Sequence, residues 1–148
     1  MKNRLTIAIQ KNGRLSDQSR DLIKKSGINF TAKGDKLLAK SNNLPIDILF
    51  VRSDDIPSLV SNGDADIAIV GENILIEKSL FKKTNISKVL ELGFSKCRLS
   101  FAAPQNFSMK SVKNKKIATS YPNTVKKYLL DNKITANVVN IHGSVELT

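Results

Sequence analysis

Apolar positions near the start of the chain predict a strand followed by a helix. Residues 5–9 form a short, mostly apolar run of the kind found in buried strands. Ser16 is a candidate N-cap for the next segment, a helix that we expect to end at Gly27. The turn at 11–14, Lys-Asn-Gly-Arg, therefore connects the carboxyl end of a strand to the start of a helix.

A hairpin-like stretch comes next. Its turn is Gly34-Asp35, and its arms are residues 30–32 and 37–39. Residues 46–51 form a further apolar strand. The chain then returns to helix, so strands and helices alternate from the beginning.

The same alternation continues through the middle of the chain. Asp54 is a candidate cap for a short helix through 57–60 that ends near Gly63. Residues 66–71, Asp-Ile-Ala-Ile-Val-Gly, are apolar on both faces, as in buried parallel strands. Residues 72–80 are expected to be helical.

The last third predicts two adjacent strands, at 89–93 and 98–103, and then a Lys-rich surface segment. A strand at 116–120, a helix capped by Asn123 and a strand at 136–141 complete the pattern. The fold class is therefore α/β with mainly parallel sheets. Because the alternation breaks near residues 94–104, we expect a first lobe of residues 1–95 and a second lobe of residues 96–148.

Composition restricts the class of protein. The 148 residues are 41% hydrophobic and 25% charged, a balance typical of a globular protein. No apolar run approaches the roughly 20 residues that span a bilayer, and the start lacks a secretory signal. The single cysteine, Cys97, cannot form an internal disulfide. We expect a cytoplasmic protein that does not bind membranes.

The net charge of +11 suggests an anionic partner, such as nucleic acid, acidic lipid or a phosphorylated small molecule. A Lys/Asn bias of the genome, with the charges on solvated faces, explains the excess equally well. Aromatic residues make up only 5% of the chain and Trp is absent, which argues against base-stacking platforms.

Two strand ends carry cations. Lys11 and Arg14 flank Gly13 before the first predicted helix, where free N–H groups favour anions and a glycine allows close approach. Arg52 follows the strand at 46–51 and could bind a phosphate with two hydrogen bonds. The alternatives are an ordinary solvated turn and a surface pair between Arg52 and a neighbouring aspartate.

Two further strand ends are weaker candidates. Gly71 could let a ligand approach the backbone, and Glu72 follows it at a helix start. The hydroxyls of Thr119 and Ser120 suit phosphate or ribose oxygens, although Ser and Thr are also common caps. With His142 as the only histidine, a Ser-His-Asp triad or a two-histidine metal site lacks residues.

Taken together, these segments resemble the long-form ATP phosphoribosyltransferases. The opening run, Ile-Ala-Ile-Gln-Lys-Asn-Gly-Arg-Leu-Ser, is similar to the start of that family, and five later segments are similar in the same order. The matching segments are residues 7–16, 44–57, 66–73, 97–100, 116–122 and 143–146.

The resemblance implies an activity and a fold. Members join N1 of ATP to C1 of phosphoribosyl pyrophosphate and release pyrophosphate, the first step of histidine biosynthesis. Mg²⁺ accompanies the pyrophosphate, and no protein metal site is implied. The implied fold has two lobes, like the type II periplasmic binding proteins, and the implied assembly is a homo-oligomer, from dimer to hexamer. ATP and phosphoribosyl pyrophosphate are the expected partners, and nucleic acid is not.

The resemblance also assigns roles to residues. Lys11 and Arg14 would contact substrate phosphates, and Arg52 would meet the leaving pyrophosphate. The cleft would be lined by Gly13, Gly71, Glu72, Arg98 and Ser100, with Thr119, Ser120 and Tyr121 on the second lobe. Glu146 would begin the segment that grips the ribose. Lys36 stands where relatives carry Arg, and this loses the planar fork for pyrophosphate.

The family continues beyond the last matching segment into a Gly- and Thr-rich phosphate loop. We therefore expect the second lobe to be incomplete and the chain to be an N-terminal fragment, inactive alone. The alternative function is a cytoplasmic module of the same fold that binds small anions without catalysis.

Overall fold

A four-stranded sheet organises the first part of the chain. The computed structural model describes residues 4–32, 34, 36–81, 84–108 and 111–141. The strands are β1 (Leu5–Gln10), β2 (Leu38–Lys40), β3 (Ile46–Val51) and β4 (Ile67–Ile69), in the order β2-β3-β1-β4. β1 pairs in parallel with β3 and β4, whereas β2 is antiparallel to β3. The expected α/β class with mainly parallel pairing is confirmed.

Side chains fasten the amino ends of the parallel strands. The Arg4 guanidinium donates to Asp47 Oδ1 at 2.8 Å and to the Ile46 carbonyl at 2.8 Å. The Thr6 amide donates to Asp66 Oδ2 at 2.7 Å, so Asp66 has a structural role at the start of β4. These contacts help to set the register of β1 against both neighbours.

Helices cover both faces of this sheet. α1 (Arg14–Lys25) packs on one face and α2 (Ile56–Asn62) on the other, and α3 (Glu72–Ser79) follows β4 along the chain. Alternate side chains of β1 point to opposite faces, so Ile9 packs with Ile23 of α1 while Ala8 packs with Ile56 of α2. The two buried clusters therefore lie on opposite sides of the sheet, and together they hold β1 in the centre of the first unit.

A smaller parallel pair forms the second sheet. It consists of β5 (Lys116–Thr119) and β6 (Asn137–Asn140), connected by α4 (Pro122–Asp131). Two apolar residues of this region are buried, Val112 and Leu129 of α4. A strand, a helix and a parallel strand in this order make a βαβ unit.

The chain divides into two compact units. The first comprises Met1–Leu75 and Thr84–Cys97, and the second comprises Ile76–Lys83 and Arg98–Thr148. The division of the catalytic region into lobes 1–95 and 96–148 stays a prediction. Within the described ranges, none of the helices is long and apolar enough to cross a membrane.

Several local predictions were wrong, each because pairing or packing overrode the local pattern. Residues 84–108 contain neither helix nor strand, although strands were predicted at 89–93 and 98–103. A strand needs a hydrogen-bonded partner, and Val89 and Leu90 are instead 93% and 72% exposed. β4 lies at the sheet edge, which leaves Ile67 51% exposed rather than buried on both faces.

Helix starts also differ from the predictions. α1 begins three residues earlier than a Ser16 cap requires: Gly13 is its N-cap, and Ser16 lies inside the helix, buried. Asp55, not Asp54, precedes α2, and its side chain makes no capping hydrogen bond. α2 does end at Gly63, which has the left-handed conformation (φ 79°) expected of a helix C-cap. Phe30 forms only a single antiparallel bridge, with Ser41, in place of the predicted hairpin arm.

Ile9→Ala should destabilise the first unit by about 2–5 kcal/mol, because Ile9 is fully buried between the sheet and α1. The measurement is urea unfolding followed by amide signals of the first unit. Ile67→Ala, at an exposed position on the neighbouring strand, is the matched control and should cost far less. Equal losses for the two variants would contradict the described core.

Candidate functional site

The carboxyl ends of three parallel strands meet at one edge of the first sheet. The register of β1 with β3 places Lys11 beside Arg52, and the register with β4, continued two residues past Ile69, places Gly71 at the level of Lys11. The Lys11 amide donates to the Val51 carbonyl at 2.9 Å, which continues the ladder past the end of β1. Open parallel sheets bind ligands at this edge.

Lys36 belongs to the same edge. β2 runs antiparallel to β3, with Leu38 opposite Leu49, so the residues that precede β2 lie beside the carboxyl end of β3. Leu37 confirms this direction, because its carbonyl accepts the Phe50 amide at 2.7 Å. The register therefore places the backbones of Lys36, Arg52, Lys11 and Gly71 at the same end of the sheet, in the strand order.

We call Lys36, Arg52 and Lys11 the cation row. Lys36 and Arg52 are exposed and Lys11 is half-buried. In the described part of the chain, no ion pair joins Arg52 to Asp54 or Asp55, so the surface pair considered from the sequence is not formed. Three cations at the same end of the sheet contribute a positive potential that attracts polyanions.

The turn between β1 and α1 has a backbone that requires glycine. Gly13 has φ 94° and ψ 177°, a region that is essentially closed to other residues. Its carbonyl accepts the Asp17 amide at 3.2 Å, and α1 starts at Arg14 immediately after it. The conformation lets the chain pass from the sheet edge into the helix in three residues, so that Arg14 stands exposed at the helix start.

Arg20 holds this turn, and sequence reasoning missed it. Its Nη2 donates to the Lys11 carbonyl at 3.2 Å and its Nε donates to Ser16 Oγ at 3.2 Å. Ser16 Oγ donates to the same Lys11 carbonyl at 2.9 Å. The guanidinium also lies 4.1 Å from the centre of the Phe50 ring, a cation–π contact. The spacing of four residues between Ser16 and Arg20 was the signal that could have suggested the pair.

A shallow hollow of about 400 Å³ lies beside the start of α1 and is open to solvent. It is lined by Arg14, Asp17, Gln18 and Ser95. The Ser95 hydroxyl donates to the Gln18 side-chain oxygen, which ties residue 95 to the helix. Arg14 therefore faces a depression within the first unit rather than an open flat surface.

Gly71 opens α3, where its carbonyl accepts the amides of Ile74 and Leu75 at 3.0 and 3.1 Å. A Cβ at this position would lie 2.5 Å from the Asn73 side-chain oxygen, so a larger residue would displace that side chain. Glycine at this position therefore avoids a collision with the Asn73 side chain.

Glu72, the next residue, is exposed, and its carboxylate accepts Lys88 Nζ at 2.8 Å. Lys88 also donates to Glu91 at 2.6 Å. The hydrogen bonds to Glu72 and then to Glu91 raise the pKa of Lys88, and the hydrogen bond from Lys88 lowers the pKa of Glu91. Glu72 is thus engaged in a surface chain of three charges.

The second unit contains three of the predicted residues at one strand end. Thr119 is the last residue of β5, its Oγ1 accepts the Tyr121 amide at 3.0 Å, and its carbonyl accepts the Ile141 amide at 3.0 Å. Ser120 between them is exposed. These contacts fix the backbone at the point where β5 passes into α4.

The other predicted residues are not brought into this group by any described contact. Arg98 and Ser100 are exposed and lie in the stretch without helix or strand. Glu146 and His142 lie outside the described residues. Within the described ranges, no three His, Cys, Asp or Glu side chains form a group that could hold a metal ion.

A second residue that sequence reasoning missed is Glu77. It is only 6% exposed, and its carboxylate accepts hydrogen bonds from the start of α4. Its helical position gave no indication of this role, because the partners lie 46 and 47 residues further along the chain.

Comparison with known proteins decides the family. The family model described as HisG, ATP phosphoribosyltransferase, matches residues 52–148. The chain belongs to the ATP phosphoribosyltransferase family. The resemblance inferred from the sequence motifs is confirmed.

Two members of the ATP phosphoribosyltransferase family are similar over almost the whole chain. An ATP phosphoribosyltransferase of Cytophaga hutchinsonii is 46% identical over 146 residues, which cover 97% of this chain and 50% of that protein. The ATP phosphoribosyl transferase (HisG:HisZ) complex from Thermotoga maritima contains a chain that matches with a TM-score of 0.62 and 28% identity. That match covers 97% of this chain and 67% of the other. The chain thus spans about half the length of the curated relative.

Gly13→Ala should destabilise the first unit by about 1–3 kcal/mol, because alanine at φ 94° and ψ 177° is strained. Urea unfolding of the first unit measures the loss. Asn12→Ala changes the neighbouring exposed residue and should be nearly neutral. If Gly13→Ala is as stable as Asn12→Ala, the turn does not have the described backbone.

Lys88→Gln should raise the pKa of Glu91 towards its ordinary value, because the cation and its hydrogen bond favour the ionised carboxylate. Carboxyl ¹³C NMR during a pH titration measures the change. Lys78→Gln, on the same helix as Glu72, is the control and should leave the Glu91 titration unchanged. An unaltered pKa in Lys88→Gln would rule out the ion pair in solution.

Proposed function

We propose that this chain carries the phosphate-binding part of an ATP phosphoribosyltransferase. In that reaction the phosphoribosyl group of phosphoribosyl pyrophosphate moves to N1 of ATP and pyrophosphate is released, the first step of histidine biosynthesis. The observation that carries the proposal is the cation row along one sheet edge. Family membership supplies the reaction, and the row gives a physical reason why polyphosphates would bind here.

The proposed mechanism is electrostatic. The bond from C1 of the ribose to the pyrophosphate oxygen breaks while the bond from N1 of the adenine to C1 forms, so negative charge grows on the leaving group. The Arg52 guanidinium can donate two parallel hydrogen bonds to that group, and Lys11 and Lys36 add point charges. Fixed cations stabilise such charge without reorganising, which lowers the barrier.

The start of α1 would hold a second phosphate group. Gly13 lets the backbone come close to a ligand, and Arg14 adds a full charge to the partial positive charge of the helix end. Arg20 keeps the turn in this conformation through the Lys11 carbonyl. Holding two large anions in fixed positions supplies much of the remaining rate enhancement.

The second unit would contact uncharged parts of the substrates. Thr119, Ser120 and Tyr121 offer hydroxyl groups at one strand end, suited to ribose or adenine. Gly71 and Glu72 would complete the first unit's side of the site, and Arg98, Ser100 and Glu146 stay proposed contacts. Thr119 and Tyr121 are already connected by a hydrogen bond, which supports a fixed geometry for this segment.

Magnesium would arrive with the substrate. The cation row contains no carboxylate, and Mg²⁺ is commonly bound by substrate phosphates and water with one or two protein carboxylates. We infer that pyrophosphate oxygens hold the ion, whose charge helps to neutralise the leaving group. The residues of the row then need only contact the remaining phosphate oxygens.

The assembly and location follow from the same proposal. We infer that the two units are the lobes of a fold like that of the type II periplasmic binding proteins. The enzyme would act in the cytoplasm as a homo-oligomer, from dimer to hexamer. The Thermotoga relative was solved as a HisG:HisZ complex, which supports association with other subunits.

A chimera tests the function. The 146 aligned residues of this chain replace their counterparts in the Cytophaga hutchinsonii relative, and pyrophosphate release is measured with ATP, phosphoribosyl pyrophosphate and Mg²⁺. We expect activity in the chimera and a loss of about 10²-fold or more in kcat for Arg52→Gln, because a donor to the leaving group is removed.

The control compares Lys36, which precedes β2, with Lys40, the last residue of β2. Lys36→Gln should lower kcat/KM, whereas Lys40→Gln should not, because β2 carries Lys40 to the opposite edge of the sheet, across from Asp47. A folded chimera that binds pyrophosphate but releases none from substrates would favour the anion-binding module instead. Equal effects of the two lysine variants on kcat/KM would contradict a role of the cation row in substrate binding.

A further inference from the structure

Glu77 is a buried acid that the proposed reaction does not use. It lies in the second half of α3 with 6% of its surface exposed. A carboxylate is rarely buried to this extent unless hydrogen bonds compensate the lost hydration. The partners of Glu77 all come from the first turn of α4, within the same compact unit.

The carboxylate spans two amides at the start of α4. One oxygen accepts the Asn123 amide at 2.8 Å, and the other accepts the Thr124 amide at 2.8 Å. Tyr121, the residue before the helix, makes no side-chain capping bond. Glu77 therefore does the work of an N-cap from another helix.

Two more hydrogen bonds complete the contact. The Thr124 hydroxyl donates to the same carboxylate at 2.6 Å, and the Asn123 side-chain amide donates to the Glu77 carbonyl at 3.0 Å. Four bonds thus join one residue of α3 to two residues of α4. Because Tyr121 immediately precedes this helix, the contact also fixes the orientation of the Thr119–Tyr121 end of β5.

The contact has a consequence for ligand charge. A helix start attracts anions through its free N–H groups and partial positive charge. At α4 an internal carboxylate already occupies the Asn123 and Thr124 amides, so a phosphate there would lose these donors and meet a like charge. The start of α1 differs, since its N-cap residue is Gly13, which has no side chain to cap the helix, and Lys11 and Arg14 lie on either side of it.

We propose that Glu77 is a positioning and specificity-determining residue that holds the Thr119–Tyr121 segment and excludes phosphate groups from the start of α4. Uncharged substrate parts are then directed to this segment, and phosphates to the cation row. The inference rests on the proposed function in assigning Thr119, Ser120 and Tyr121 to the substrate, but the exclusion itself concerns only Glu77 and α4.

The experiment is a titration of the ¹⁵N-labelled chain with magnesium pyrophosphate, followed by backbone amide NMR. In the unaltered chain we expect the Asn123 and Thr124 amides to show no saturable shift. In Glu77→Gln, which keeps the shape and removes the charge, these amides should shift, with an apparent dissociation constant lower by about tenfold or more. Glu77→Asp, which keeps the charge, should restore the exclusion.

Asp131→Asn is the matched control, because it removes an exposed acid from α4 itself, and it should leave Asn123 and Thr124 insensitive. Two results would overturn the proposal: saturable shifts of Asn123 and Thr124 in the unaltered chain, or insensitivity of these amides in a folded Glu77→Gln. A role confined to stability would lower the unfolding midpoint in Glu77→Gln without changing the pyrophosphate response.

Failure of the proposed function would look different. It would show as an absent response at Lys11, Asn12 and Gly13 in the unaltered chain, whatever Asn123 and Thr124 do. The two hypotheses are therefore judged at separate sets of amides in one titration.

Discussion

Parallel pairing of β1 with both neighbours is the constraint on which the rest of the first unit depends. β1 pairs with β3 on one side and with β4 on the other, and its residues face both helical layers. The pairing brings Lys11, Arg52 and Gly71 to one level, although they are far apart in sequence. A slip by one residue would exchange the two faces of β1, so that Ile9 would take the side where the small Ala8 packs against α2, and Lys11 would no longer lie beside Arg52.

Support for the site comes from polar contacts just behind it. The Lys11 carbonyl accepts from both Ser16 and Arg20, so the turn is held from the helix while the Lys11 amide is held from β3. Arg20 in turn lies over the Phe50 ring of the core. The backbone of Lys11 is thus fixed on both sides, as preorganised electrostatic stabilisation in the proposed site would require.

The sequence predicted what depends on local pattern and missed what depends on distant partners. The apolar run at 5–9 and the turn at 11–14 were enough for β1 and for the cations beside it, since the pattern and the turn chemistry agree. Arg20 was missed although its spacing of four residues from Ser16 could have suggested their hydrogen bond. Glu77 was missed because its role needs a contact across 46 residues, which no spacing specifies. The strands expected at 89–93 and 98–103 failed for the same reason, as propensity cannot supply a ladder partner.

The cation row also lowers the stability of the folded protein when no anion is bound. Lys36, Arg52 and Lys11 reach one line only when the sheet is assembled, so their mutual repulsion is a cost of the folded state that an extended chain largely escapes. Counter-ions screen that repulsion, and the polyphosphate of the proposed function would offset it when bound. Binding of such an anion would therefore raise the free energy of unfolding of the first unit.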